Sequence, residues 1–109
     1  MHYALPMEMH RMPCGIIYSG EFARFLKGKH ESEEGAHPGE LLSLEYVRCK
    51  EGPQAGEAWW QMAWVPPFSA PADQRFRIGE TEVFIQRQTR RGLMNRLLHF
   101  VSGQVVVKR

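Results

Sequence analysis

Residues 74–109 read QRFRIGETEVFIQRQTRRGLMNRLLHFVSGQVVVKR, and this run decides the fold. Arg75–Ile78 and Thr81–Gln86 flank Gly79-Glu80, a two-residue hairpin signal with glycine at its first central position. Phe76 and Ile78 face the core from one arm, and Val83 and Ile85 from the other. Thr89 offers a hydroxyl to cap a short helix or turn over Arg90–Met94, which Gly92 weakens. Leu97–Val101 and Gln104–Lys108 form a second pair around Ser102-Gly103.

The same alternation extends upstream. In Leu41–Cys49 (LLSLEYVRC), Leu42, Leu44 and Tyr46 share one face, and Ser43 and Glu45 the other. In Ala58–Val65 (AWWQMAWV), Trp60, Met62 and Trp64 share a face, with Trp59 beside Gln61 on the opposite one. Lys50–Glu57 carries two glycines and a proline and turns between them, so the two strands predict a long hairpin. Cys14–Tyr18 (CGIIY) reads as a short strand. Ser19 then supplies an N-cap hydroxyl, and Glu21 a carboxylate in the first helical turn. Phe22, Phe25 and Leu26 recur at helical spacing, and Gly28 marks the helix end. About nine residues of helix do not persist alone, so the element has to lie against a sheet through its phenylalanines. Lys29–Glu40 reads as a polar loop, and Pro66–Asp73, with three prolines, as an extended connector. Met1–Pro13 reads as a flexible arm whose methionines suit an irregular apolar surface. The expected architecture is α+β and mostly β. Small mixed or antiparallel sheets pack like a β-sandwich over residues 14–109, with one short N-terminal helix and one short helix or turn near 89–94.

With 109 residues, 43% hydrophobic and 24% charged, the chain has the composition of one ordinary folded domain. No apolar run approaches the roughly 20 residues that cross a bilayer. The N-terminus lacks the basic start and apolar core of a signal peptide. Two cysteines, Cys14 and Cys49, make no disulfide framework, so a cytoplasmic location with reduced thiols is expected. Charge is uneven. Residues 1–74 hold six Lys/Arg against ten Asp/Glu, a net −4; residues 75–109 hold eight against two, a net +6. A sequence pI of 8.7 sits below the range above about 9 typical of dedicated nucleic-acid domains. The two halves more simply complement each other within the fold or across a dimer. No glycine-rich phosphate loop, CxxC pair, HExxH or GxSxG motif occurs, and no cofactor is expected. His30 and His37 lie among four glutamates, but their spacing fits no standard metal pattern.

The run Val83–Phe100 (VFIQRQTRRGLMNRLLHF) resembles the late segment of HesB/IscA-type proteins, where a strand leads through a polar turn and a serine to Leu-x-Gly and a further strand. In register, Thr89 falls at the serine, Leu93 at the leucine, Asn95 at the glycine and Phe100 at a tyrosine. Asparagine is the next most tolerant residue of positive φ. GIIYSGEFARFL (Gly15–Leu26) resembles the family's opening strand, cap and amphipathic helix. The resemblance implies a shared fold. Members that hold iron or an iron–sulfur cluster use one cysteine after a middle strand and a C-terminal Cys-x-Cys. Here Cys49 lies near the first position and the pair is absent, so the resemblance implies a scaffold without the cluster chemistry, which takes four ligands.

Four functional readings follow. The preferred one is a small non-enzymatic accessory or binding domain on a HesB-like scaffold, with the N-terminal arm, the Trp-rich hairpin and the basic last third as its interaction surfaces and Trp59 and Phe68 as the candidates for exposed apolar contact. The second is an iron or iron–sulfur carrier that uses Cys14, Cys49 and His99 across a dimer. The third is an anion or nucleic-acid binder that presents Arg87, Arg90, Arg91 and Arg96, since guanidinium forks suit phosphate. The fourth is an enzyme built on His99 with a carboxylate, or on Cys49 with a histidine. A homodimer is also expected from the open edge of QVVVK, guarded only by Lys108.

Overall fold

The hairpins expected at both ends of the basic third are present. In the computed structural model, which describes residues 8–109, the chain runs β1 (Met9–Arg11), β2 (Ile17–Ser19), α1 (Gly20–Glu33), β3 (Leu41–Arg48), β4 (Ala58–Val65), β5 (Arg75–Ile78), β6 (Thr81–Phe84), α2 (Arg87–Leu93), β7 (Leu97–Val101) and β8 (Gln104–Lys108). The strands form two four-stranded sheets, ordered β1-β2-β7-β8 and β4-β3-β6-β5. Each has one parallel pair at its centre, β2 beside β7 and β3 beside β6, with antiparallel hairpins outside. The fold is therefore α+β and mostly β, as the alternation implied, and the two parallel pairs make its sheets mixed. Among the described residues no helix is long and apolar enough to cross a membrane.

One core serves both sheets and α1. Ile16, Phe22, Leu26, Leu42, Leu44, Ile78, Val83, Ile85, Leu93 and Leu98 are fully buried in it. The helix is a wedge. Phe22 meets Trp60 of one sheet edge-to-face at 5.8 Å, and Phe25 stacks on Phe100 of the other at 4.2 Å and 10°. Trp60, Met62 and Trp64 pack inward, and Trp59 outward, as their alternation requires.

Five sequence readings need correction. The helix does not stop at Gly28 but runs to Glu33, with a 3-10 turn over Glu34–Ala36 replacing part of the expected loop. A glycine in a helix costs about 1 kcal/mol, but two pairs one turn apart, Lys29–Glu33 at 2.7 Å and His30–Glu34 at 3.1 Å, support the added turns. Glu33 also accepts the Trp64 Nε1–H at 2.9 Å, which ties the helix end to β4. The second helix starts at Arg87, after Gln86, and Thr89 is not its cap. Thr89 is buried inside it, and its Oγ1 accepts the Tyr46 N–H at 3.3 Å. The β3–β6 pairing ends at Ser43↔Phe84, so α2 takes over beyond it. Gly92 permits that approach, since a Cβ there would sit 3.2 Å from the Tyr46 ring.

The expected arm is also partly structured. Met9–Arg11 pairs antiparallel with β2, and Met12 is buried; residues 1–7 of that arm lie outside the described residues. Cys14–Ile16 is a turn and not the start of a strand, because Gly15 N–H bonds Met12 O at 2.9 Å and its φ is +93°. Pro66–Asp73 is not extended. It folds into 3-10 turns at Pro67–Ser69 and Ala72–Gln74, held by Arg75, which donates to Ala70 O at 2.7 Å and Pro67 O at 3.0 Å.

Candidate functional site

His99 and its neighbours are the first place to look for chemistry. Ser19 closes β2 and opens α1, and its Oγ accepts the Phe22 N–H at 3.1 Å. The parallel pairing of β2 with β7 sets His99 beside it, with Nδ1 at 2.8 Å from Ser19 Oγ. Glu21 Oε2 lies 3.6 Å from the same nitrogen, an ion-pair distance, and has no hydrogen-bond partner. The three residue types are those of a hydrolytic triad, but the geometry is not. A relay needs the nucleophile on one imidazole nitrogen and the carboxylate on the other. Here both face Nδ1, and Ser19 has no exposed surface. The cluster joins α1 to the first sheet.

Cys14, Cys49 and His99 do not gather into one ligand cluster. Cys14 packs against the core from the β1–β2 turn, and the Cys49 thiol, at the turn end of the β3–β4 hairpin, donates to Glu51 O at 2.9 Å. Both thiols are free. Among the described residues no three His, Cys, Asp or Glu side chains gather closely enough to hold a metal. His30 and His37 converge on Trp64 instead. His37 stacks on the indole at 4.9 Å and 5°, and His30 tilts against it at 5.3 Å. His37 Nδ1 pairs with Glu40 at 3.1 Å.

Glu33 anchors this cluster through Lys29 and Trp64, and those hydrogen bonds, the lysine's first, hold its carboxyl below the ordinary 4.5. A depressed carboxyl stabilises the fold above its unfolded pKa, and that contribution disappears as pH falls through the folded one. The intrinsic fluorescence is therefore expected to shift below pH 4.5 as Trp64 loses its charged acceptor. Glu33→Gln should remove that step in a fluorescence–pH titration and leave the rest of the curve in place. An unchanged step in Glu33→Gln would assign it elsewhere.

The four arginines do not line one face freely. Arg90 lies over the Phe76 ring at 5.3 Å, and Arg96 lies over Tyr46 at 5.8 Å and donates to its hydroxyl at 3.3 Å. Both are half-buried, which leaves Arg87 and Arg91, one turn apart on α2, exposed. A polar cleft of about 500 Å³ lies beside the 34–41 loop, where Glu34, Glu40 and Glu82 face Arg75. Arg75 is already committed to the Pro67 and Ala70 carbonyls.

The second sheet's outer edge is different. From Ala58 to Ala72 the chain carries no charged residue across fifteen positions. Eight of them form β4, which has no strand on its outer side among the described residues. Trp59 is 44% exposed near its start, and Phe68 is 89% exposed just past its end. On the solvent face, Trp59 Nε1 donates to Gln61 at 3.3 Å and Gln61 donates to Glu45 at 2.8 Å. No family model, curated protein or solved structure matches the chain. The alternation of AWWQMAWV signalled Trp59. The open edge was not visible, because it depends on the long-range parallel pairing of β3 with β6. The uncharged run was the available clue.

Proposed function

We propose that this chain is a small non-enzymatic binding domain, on a HesB-like scaffold without the cluster-binding cysteines, that engages a protein through the outer edge of β4. The observation that carries the reading is the uncharged strand at an open sheet edge, bracketed by the exposed rings of Trp59 and Phe68. Such an edge presents unpaired backbone donors and acceptors for strand addition, and exposed aromatics give it side-chain contacts. The groups that would carry other functions have structural employment. Ser19 caps α1, and Arg90 and Arg96 stack on aromatic rings. The HesB-like scaffold is supported by Asn95, whose φ of +62° occurs where the resemblance sets a glycine, and by Phe100 stacked on the helix at the tyrosine position.

Trp59→Ser with Phe68→Ser is expected to leave chemical denaturation unchanged within about 0.5 kcal/mol, since neither ring supports the core. A loss above about 2 kcal/mol would make them structural. A photo-cross-linking amino acid at position 59, introduced in the producing cell, should yield protein adducts, whereas one at position 87 should not. Adducts from position 87 alone would move the binding face to α2.

A further inference from the structure

We infer that the protein seated on the β4 edge is a second copy of this chain, joined antiparallel across a two-fold axis into one continuous eight-stranded sheet. The inference rests on the reading of β4 as a binding edge and names its occupant.

The four outer strands differ in how they are guarded. β1 has three residues and carries His10 and Arg11. β5 has four and carries Arg75 and Arg77. β8 has five and ends in Lys108. β4 has eight and carries no charge. Natural edges are blunted by shortness, charge or proline, and β4 lacks all three until Pro66 and Pro67 end it. An uncharged edge offers a charged partner nothing to pair with and selects an uncharged strand. The chain supplies one in β4 itself.

The strand is also self-complementary. Proline cannot donate to a ladder, so self-pairing extends no further than Val65. Side chains must alternate in step across the axis, and of the two longest registers this allows within β4, the one that reaches Val65 places Met62 opposite Met62 of the second copy. Trp59 then lies opposite Val65, three residues from Phe68 of that copy. Trp60 meets Trp64, and Gln61 meets Ala63. Cross-strand pairs of aromatic and β-branched residues are the favourable kind, and no like charges face each other. Both exposed rings come to lie at the ends of the joint.

Sedimentation velocity over a concentration series tests this. The protein should pass from monomer to dimer, and Ala63→Lys, on the exposed face next to the axis, should raise the dissociation constant at least about tenfold with an unchanged circular dichroism spectrum and melting curve. Gln104→Lys, on β8, should leave the dimer intact. In a Cys14→Ser/Cys49→Ser background, Ala63→Cys should be joined to its second copy by a short bismaleimide, and Gln104→Cys should not. A protein monomeric at every concentration overturns the inference, as does a dimer indifferent to Ala63→Lys or joined through position 104. If the protein is monomeric yet position 59 cross-links to another protein, the binding edge stands and the second copy is rejected. If position 59 cross-links to nothing as well, both readings fall.

Discussion

Phe22→Ala should cost about 3–5 kcal/mol in equilibrium urea denaturation, with a lowered midpoint and an unchanged slope. Domains of this size are stable by about 5–15 kcal/mol, so the variant is expected to sit near the limit of folding. The ring has no exposed surface and projects from the first turn of α1 toward Trp60, with Phe25 at 6.2 Å behind it. Truncation removes the apolar contact and leaves a cavity that Trp60, fixed in β4, and Phe25, stacked on Phe100, cannot easily fill. Trp60 has no polar alternative, since its Nε1–H is buried without an acceptor and packing alone holds the indole. Phe25→Ala is the internal comparison. Phe25 is only half-buried and touches Phe100 of the other sheet, so its loss should be clearly smaller. Equal costs would mean that α1 is not wedged between the sheets but leans on one of them.

That wedge shows what the sequence could and could not disclose. Phe22, Phe25 and Leu26 announce a helix with an apolar face because the spacing is local. The β3–β4, β5–β6 and β7–β8 hairpins are legible for the same reason: alternation and turn residues are properties of neighbours. The division of labour between Phe22 and Phe25 is not legible, because it depends on which sheet each ring meets. Helix extension past Gly28 was hidden likewise, since Glu33 finds Trp64 thirty-one positions away. Thr89 looked like a cap because capping is a local rule, yet its hydroxyl is taken by Tyr46, forty-three positions away. At the candidate surface the side chains were visible and the edge was not. Trp59 is outward by alternation, but β4 is an outer strand only because β3 gives its other side to β6, a parallel pairing between segments forty residues apart. Asn95 is the opposite case: its positive φ is one that its residue type tolerates.

Ser19→Ala is the second large effect, and its size separates two roles held by one hydroxyl. The oxygen accepts the Phe22 N–H as helix cap and meets His99 Nδ1 at 2.8 Å. Loss of a cap costs about 1 kcal/mol. A buried partner left unsatisfied costs about 1–3 kcal/mol more, and His99 is only 8% exposed. A total of about 2–4 kcal/mol is therefore expected. The parts need not add, because both bonds share an atom. His99→Ala removes only the second bond. In that background Ser19→Ala should cost about 1 kcal/mol, the cap alone, which gives a coupling within the 0.5–3 kcal/mol typical of side chains in contact. A cost identical in both backgrounds would show that the Ser19–His99 bond contributes nothing. The cycle also bears on catalysis. If Ser19 and His99 are a structural clasp between α1 and β7, their removal must appear in stability, and the buried hydroxyl must resist acylation by a fluorophosphonate probe in the folded protein. Labelling of Ser19 under native conditions would contradict the clasp and restore the hydrolytic reading that the shared nitrogen argues against.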